Sequence, residues 1–185
     1  MYKGLISKTF LMLLLLITEH GSARTLTIET GDKNLNIIYT RPIIYDVSSP
    51  VVADTRLLYT KQNDHQDLFA TAGITAYSTD DFGLGAGIKI IAADPLDYTL
   101  TAMSMGASVI YQHKRFKFES SYYYAGQSLT YADGKSVSLL IVNMDYEIMH
   151  NTFIRLGYRN IKTDLNNGIS ADFDRGAYLG LSWLY

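Results

Sequence analysis

The stretch "SLLIVNMDYEIMHNTFIRLGYRN", Ser138 to Asn160, decides the fold. From Ser138 to Ile148 it alternates with period 2. Leu140, Val142, Met144, Tyr146 and Ile148 share one face, while Leu139, Ile141, Asn143, Asp145 and Glu147 share the other. Successive side chains of a strand point to opposite faces, so this is a β-strand with one apolar face and one that turns acidic. "MHN", Met149–Asn151, makes a tight turn, after which Ile154, Leu156 and Tyr158 oppose Arg155, Gly157 and Arg159. A symmetric turn centred on His150 sets Asp145 against Arg155, Asn143 against Gly157 and Ile141 against Arg159, with Glu147 diagonal to Arg155. The hairpin therefore collects its charges on one face and its bulk on the other.

The same division recurs upstream. Leu84, Ala86, Ile88 and Ile90 alternate with Gly83, Gly85, Gly87 and Lys89. Met103, Met105, Ala107, Val109 and Tyr111 alternate with Ser104, Gly106, Ser108 and Ile110, and Phe116, Phe118, Ser120, Tyr122 and Tyr124 with Lys117, Glu119, Ser121 and Tyr123. Periodicity alone does not say which face looks outward; a soluble sandwich or lipocalin-like barrel would put the apolar face inside. Three features favour the reverse. Glycine and serine run along the polar faces, which suits a narrow interior crossed by a few long side chains. Aromatics (Tyr111, Phe116, Tyr146, Phe153) gather near the turns, as they do in the girdles of membrane barrels. The alternating segments are also longer than the usual strand of about 5–6 residues and reach the ~9–11 that a tilted spanning strand needs. The expected fold is all-β: an antiparallel transmembrane up-and-down β-barrel.

Counting back from Tyr185 gives strands near 175–185, 152–163, 135–148, 115–131, 98–112, 82–92, 67–77 and 51–61. Two more alternating segments precede them, "TLTIET" (Thr25–Thr30) and "NLNIIYT" (Asn34–Thr40). Both chain ends should be periplasmic, which requires an even count. Ten strands are favoured, with eight as the alternative if the first two segments form a periplasmic or plug piece. Short connections at Ser78–Asp81, His113–Arg115 and Met149–Asn151 are assigned to the periplasm. The alternate ones, of which "DLNNGISADFD" (Asp164–Asp174) is read as the longest loop, face outward.

At the N-terminus Lys3 and Lys8 precede the apolar run "FLMLLLLI" (Phe10–Ile17), and Gly21 and Ala23 stand at −3 and −1 of a cut before Arg24. That run has 8 residues where a spanning helix needs ~20, so residues 1–23 read as a cleaved signal peptide and 24–185 as the barrel domain. Removal of Lys3, Lys8 and Glu19 leaves 14 basic and 17 acidic residues, with no basic cluster beyond "HKR", His113–Arg115. Nothing in that balance points to a nucleic-acid partner. Cysteine is absent, which excludes disulfides and thiolate metal sites. Tyr is abundant, at 15 residues, as expected where rings are half apolar and half wet.

The interior face is expected to hold Lys89, Lys117, Glu119, Asp145, Glu147, Arg155 and Arg159, a set roughly balanced in sign. Charges in a narrow lumen must be paired or hydrated, so the first reading is a salt-bridge network filling the barrel; a polar conduit or an acid–base site is the alternative. On the next hairpin a turn between His113 and Lys114 would pair Ser108 with Glu119 and Gly106 with Ser121. No catalytic set emerges: His20 falls in the signal, His65 in a loop, and His113 and His150 in turns. The acidic pairs Asp80–Asp81 and Asp172–Asp174 match no calcium loop, and no cofactor or metal site is assigned. The glycines at 83, 85 and 87 lack the third glycine and the helix of a dinucleotide site and read as interior clearance.

The chain end "GAYLGLSWLY", Gly176–Tyr185, is similar to the C-terminal signal by which barrel-assembly machinery recognises its clients, carried by Tyr178, Gly180, Trp183 and Tyr185. Leu179, Leu181, Trp183 and Tyr185 would face lipid, with Tyr178, Gly180 and Ser182 inward. The closing stretch "LGYRNIKTDLNNGISADFDRGAYLGLSWLY", with Gly157-Tyr158-Arg159 and Gly176 to Leu181, resembles the YfaZ family of small outer-membrane proteins of Gram-negative bacteria, as do "ESSYYYAGQSL" (Glu119–Leu129) and "NLNI" (Asn34–Ile37). Glycine is sparser here than in that family, and Arg41-Pro42 through Pro50 has no counterpart. The resemblance implies an exported barrel and no established activity. The resulting expectation is a non-enzymatic outer-membrane protein, structural, with a charge-filled lumen. A narrow passive pore and surface-loop adhesion through Asp164–Asp174 are the alternatives. Its expected partners are outer-membrane lipid, periplasmic chaperones and the assembly machinery; the sequence does not fix an oligomeric state.

Overall fold

A computed structural model describes residues 24–44, 49–62, 65–78 and 82–185. The proposed signal peptide and the Asp80–Asp81 pair lie outside the described residues. The chain is all-β. Its strands are β1 (Thr25–Thr30), β2 (Asn34–Ile44), β3 (Val51–Gln62), β4 (His65–Tyr77), β5 (Phe82–Ala93), β6 (Leu100–His113), β7 (Phe116–Ala125), β8 (Thr130–Ala132), β9 (Gly134–Met149), β10 (Thr152–Leu165) and β11 (Ser170–Leu184). Neighbours in sequence pair antiparallel except around β8, which pairs β6 while β7 pairs β9, and β1 pairs β11 over six residue pairs from Thr25↔Leu184 to Thr30↔Leu179. The sheet thus closes on itself. β8 continues β7 on the edge of β6, so the barrel has ten staves. Both early segments pair, which decides ten over eight.

The alternation places the faces as the sequence requires. Outward-pointing Leu84, Ile90, Met105, Leu156, Leu179 and Tyr185 are 47–64% exposed, whereas Glu29, Arg159, Asn36, Ser104 and Thr163 inside are fully buried. A barrel that is polar within and apolar without is the arrangement a bilayer selects, because every backbone group is paired in the closed sheet and only apolar side chains meet lipid. Tyr111, Phe116 and Tyr146 stand on the outer face near the turns, with the Phe116 and Tyr146 rings 4.7 Å apart. Phe153, expected among them, instead lines the barrel mouth with Arg155 and Glu147, since it shares their parity.

The β9–β10 register is the expected one: Asp145↔Arg155, Asn143↔Gly157, Ile141↔Arg159. Asn151, at φ 63°, supplies the left-handed residue of the turn, and a register shift follows at Thr152/Phe153. The β6–β7 register differs from expectation by two residues. Ser108 pairs Ser121 and Gly106 pairs Tyr123, because the turn is the two-residue Lys114-Arg115 between His113 and Phe116, with Lys114 at φ 53°. A slip of two preserves the faces, so the inward set is unchanged.

Two other expectations fail. The 115–131 segment is not one continuous strand. A 3-10 turn, Gln127–Leu129, interrupts it, inserting three residues between the pairs Met105↔Tyr124 and Ala102↔Thr130 and turning Leu129 against the buried core. Asp164–Asp174 is also no long loop. β10 runs to Leu165 and β11 starts at Ser170, leaving only 166–169 between them. Ala171 and Phe173 are buried anchors there, and a bulge at Ile161/Lys162 absorbs the odd residue. Connections at the two ends of the barrel are consequently similar in length.

Candidate functional site in the barrel lumen

The lumen has two storeys. At the end carrying the β3–β4, β5–β6 and β10–β11 connections, inward side chains are apolar: Leu58, Phe69, Ile91, Leu100, Leu139, Ile161 and Phe173 are all 0–1% exposed and form one cluster. The Phe69 and Phe173 rings are 5.2 Å apart although β4 and β11 are four staves apart around the ring. Side chains from nearly opposite walls therefore meet, and they stopper that end. Asp67 accepts the Leu96 amide at 3.1 Å, tying the β5–β6 connection to the same end.

Below the stopper the lumen is charged. Arg155 of β10 is held by Asp145 of β9 through Nε at 2.6 Å and Nη2 at 2.8 Å, a two-point guanidinium–carboxylate pair. Its Nη1 donates to Glu29 of β1 at 3.1 Å. Arg159, fully buried, donates to Glu29 at 2.8 Å, to Asp174 at 2.5 Å and to Asn34 at 3.1 Å. Asn36 adds a bond to Glu29 at 2.6 Å. The hub is thus Glu29, on the strand that closes the barrel, bridging β1 to β10 across β11. Lys89 of β5 meets Asp54 of β3 at 2.5 Å and lies 4.8 Å from the Tyr123 ring centroid, while Tyr123 and Thr75 share a hydroxyl bond of 2.7 Å. Lys117 and Glu119 lie 3.4 Å apart along β7 nearer the mouth. Glu147 lines that mouth beside Lys117, Asp145 and Arg155.

Of the seven expected lumen residues, the structure joins Asp145, Arg155 and Arg159 in one network. Lys89 and the Lys117–Glu119 pair form separate ion pairs. The sequence reading missed Glu29, Asp54, Arg56 and Asp174. Glu29 and Asp54 are each the only acidic residue of their strand, and the signal that places Glu29 inside is its parity with Thr27, opposite inward Ser182. In the sequence Asp172 and Asp174 read together as a loop-tip acidic pair; the bulge instead buries Asp174 against Arg159 and leaves Asp172 on the outer face.

Interior glycines give these long side chains room. A Cβ on Gly180 would come within 2.9 Å of Glu29 Cγ, and one on Gly106 within 2.5 Å of the Tyr123 ring. In the C-terminal strand Tyr178 is inward and 3% exposed; its hydroxyl donates to Asn143 Oδ1 and its ring lies 4.6 Å from the Arg159 guanidinium. Leu179, Leu181, Trp183 and Tyr185 lie outward as expected, and Tyr185 and Arg24 exchange backbone hydrogen bonds of 2.8 and 2.9 Å. His113 ends β6 and His150 sits in its turn, each away from the inward carboxylates; among the described residues no three His, Asp or Glu side chains gather where a metal ion could be held.

The YfaZ precursor family model matches residues 56–185, more than two-thirds of the chain. The match starts in β3, so the "NLNI" likeness at Asn34–Ile37 and the hub residue Glu29 precede it. No curated protein sequence matches. Among solved structures, the chain is similar to the outer membrane channel DcaP of Acinetobacter baumannii, at 11% identity and a TM-score of 0.46, covering 90% of this chain and 60% of that one.

Proposed function

The chain belongs to the YfaZ family, and on that footing we propose that it is a small, non-enzymatic outer-membrane barrel with a lumen closed to through-flow. The observation that carries this reading is the apolar stopper: Phe69 and Phe173 touch across the barrel, above the charged network centred on Glu29. An open pore of this diameter would need a continuous hydrated path, and apolar side chains packed at 0–1% exposure supply none. The mouth at the chain termini is assigned to the periplasm, because an even strand count with both ends together matches the orientation of outer-membrane barrels. Lipid contacts the outer face. The end of β11, through Tyr178, Gly180, Trp183 and Tyr185, serves as the recognition signal for periplasmic chaperones and assembly machinery, and the chain is exported through a signal peptide at residues 1–23.

A narrow passive pore is the second reading, favoured by a cavity of about 320 Å³ that reaches from the mouth to Arg56, Lys89 and Tyr123. Osmotic swelling of proteoliposomes separates the two. The closed reading expects the wild type to match empty vesicles for glycerol-sized and larger solutes. Swelling above that background would overturn it. Barrel formation is checked by gel mobility, which should differ between unboiled and boiled detergent samples; identical migration would contradict a membrane barrel.

A further inference from the structure

The cavity beneath the stopper is lined by a guanidinium with one donor that the ion-pair network leaves unmatched. Four cationic and two anionic side chains line it: Arg56, Lys89, Lys117 and Arg155 against Asp54 and Glu119. Lys89 is closed on Asp54, Lys117 faces Glu119, and Arg155 is held from behind by Asp145 and Glu29. Arg56 is different. It is 7% exposed, and its Nη1 has no hydrogen-bond partner among the described residues. A guanidinium stays charged at any relevant pH, and a buried unpaired donor on it is costly. That donor has no acceptor among the described residues, and Arg56 lines the cavity, so an acceptor that enters there meets its guanidinium group. Thr25, Thr40, Thr75, Ser108 and Ser121 add hydroxyls from five strands around the same cavity, between Arg56 and the strand ends at the mouth.

We propose that this cavity binds a small polyhydroxylated carboxylate, its carboxylate on Arg56 and its hydroxyls on the threonine and serine side chains. The volume, about 320 Å³, lies at the small end of ligand pockets and suits a solute of monosaccharide size. A single negative charge fits better than two. Glu29 and Asp54 are both within electrostatic reach of Arg56 and already offset part of its charge, so a dianion would meet more repulsion there than a monoanion. The proposal rests on the lumen being reachable from the mouth, as the proposed function has it, and it does not depend on whether the stopper conducts.

The test is calorimetric titration of the full chain, refolded in detergent micelles at low salt, with sodium gluconate, glucose and inorganic phosphate as separate probes. Wild type should bind gluconate saturably at one site and glucose at least tenfold more weakly. Arg56→Gln should lose tenfold or more in gluconate affinity, with Arg56→Lys falling between. Absence of saturable gluconate binding, which would mean that water alone satisfies Arg56, overturns the proposal. So does equal affinity for glucose, tighter binding of phosphate, or unchanged affinity in Arg56→Gln. If Arg56→Gln fails to fold by gel mobility, the wild-type selectivity of gluconate over glucose and phosphate still decides the matter. A wild type that swells liposomes would sink the closed-lumen reading and leave this result standing.

Discussion

Replacing Glu29 with alanine should open the barrel at its seam. Glu29 has no exposed surface and takes three bonds, from Arg155 at 3.1 Å, Arg159 at 2.8 Å and Asn36 at 2.6 Å. It stands on β1, the six-residue strand that closes the sheet against β11. Removing one partner of a buried ion pair typically costs about 3–5 kcal/mol, mostly because the remaining charge is stranded. Here each arginine retains a carboxylate: Arg155 keeps Asp145, Arg159 keeps Asp174, and Arg56, whose charge Glu29 also offsets, keeps Asp54 within electrostatic reach. The expected cost of Glu29→Ala is therefore at the lower end, about 3 kcal/mol. Glu29→Gln keeps the shape and one acceptor oxygen and should cost about half as much. Equilibrium urea unfolding in lipid vesicles, followed by Trp183 fluorescence, measures both, and a cycle with Arg159→Met should return a coupling above about 1 kcal/mol. A Glu29→Ala variant within about 0.5 kcal/mol of wild type would refute the view that this carboxylate latches the seam.

Other consequences follow from the same geometry. Gly180→Val should destabilise the barrel by about 1–3 kcal/mol, because its Cβ meets both Glu29 Cγ and the Ile28 carbonyl at 2.9 Å; the same urea titration checks it, and a neutral effect would show that Glu29 can give way. Replacing Trp183 and Tyr185 together with serine should lower the fraction of heat-modifiable protein in the membrane while leaving signal cleavage unchanged; normal assembly of that variant would exclude these residues as recognition elements. Phe69→Ala should cost about 3–5 kcal/mol if the ring sits in a packed stopper, as its contact with Phe173 implies, whereas a cost under about 1 kcal/mol would mean that it lies in a loose, hydrated end.

Much of this architecture is legible in the chain because a closed barrel writes its inside and outside directly into odd and even positions. The β9–β10 pairings could be read from one turn, and the two-residue error in β6–β7 left the faces intact because strand parity tolerates it. Parity is also what the unread parts lack. The bulge that sends Asp174 inward and Asp172 outward breaks the count within a segment whose Asn-Asn-Gly composition suggests a loop. The 3-10 break at Gln127–Leu129 carries no periodic signal for a turn within a strand. Pairing across the lumen is a further matter. That Glu29 meets Arg155 and Arg159, or that Asp54 meets Lys89, depends on tilt and closure around the ring, which no local pattern encodes.

The most direct test of the account is single-channel recording of the refolded wild type in planar bilayers, beside a variant with Phe69 and Phe173 both changed to alanine. The closed-lumen account predicts a wild type that inserts without conductance steps and a variant that shows them, since the two rings that meet across the barrel are the largest apolar side chains of the stopper above the cavity. Stable, reproducible steps from the wild type would contradict it.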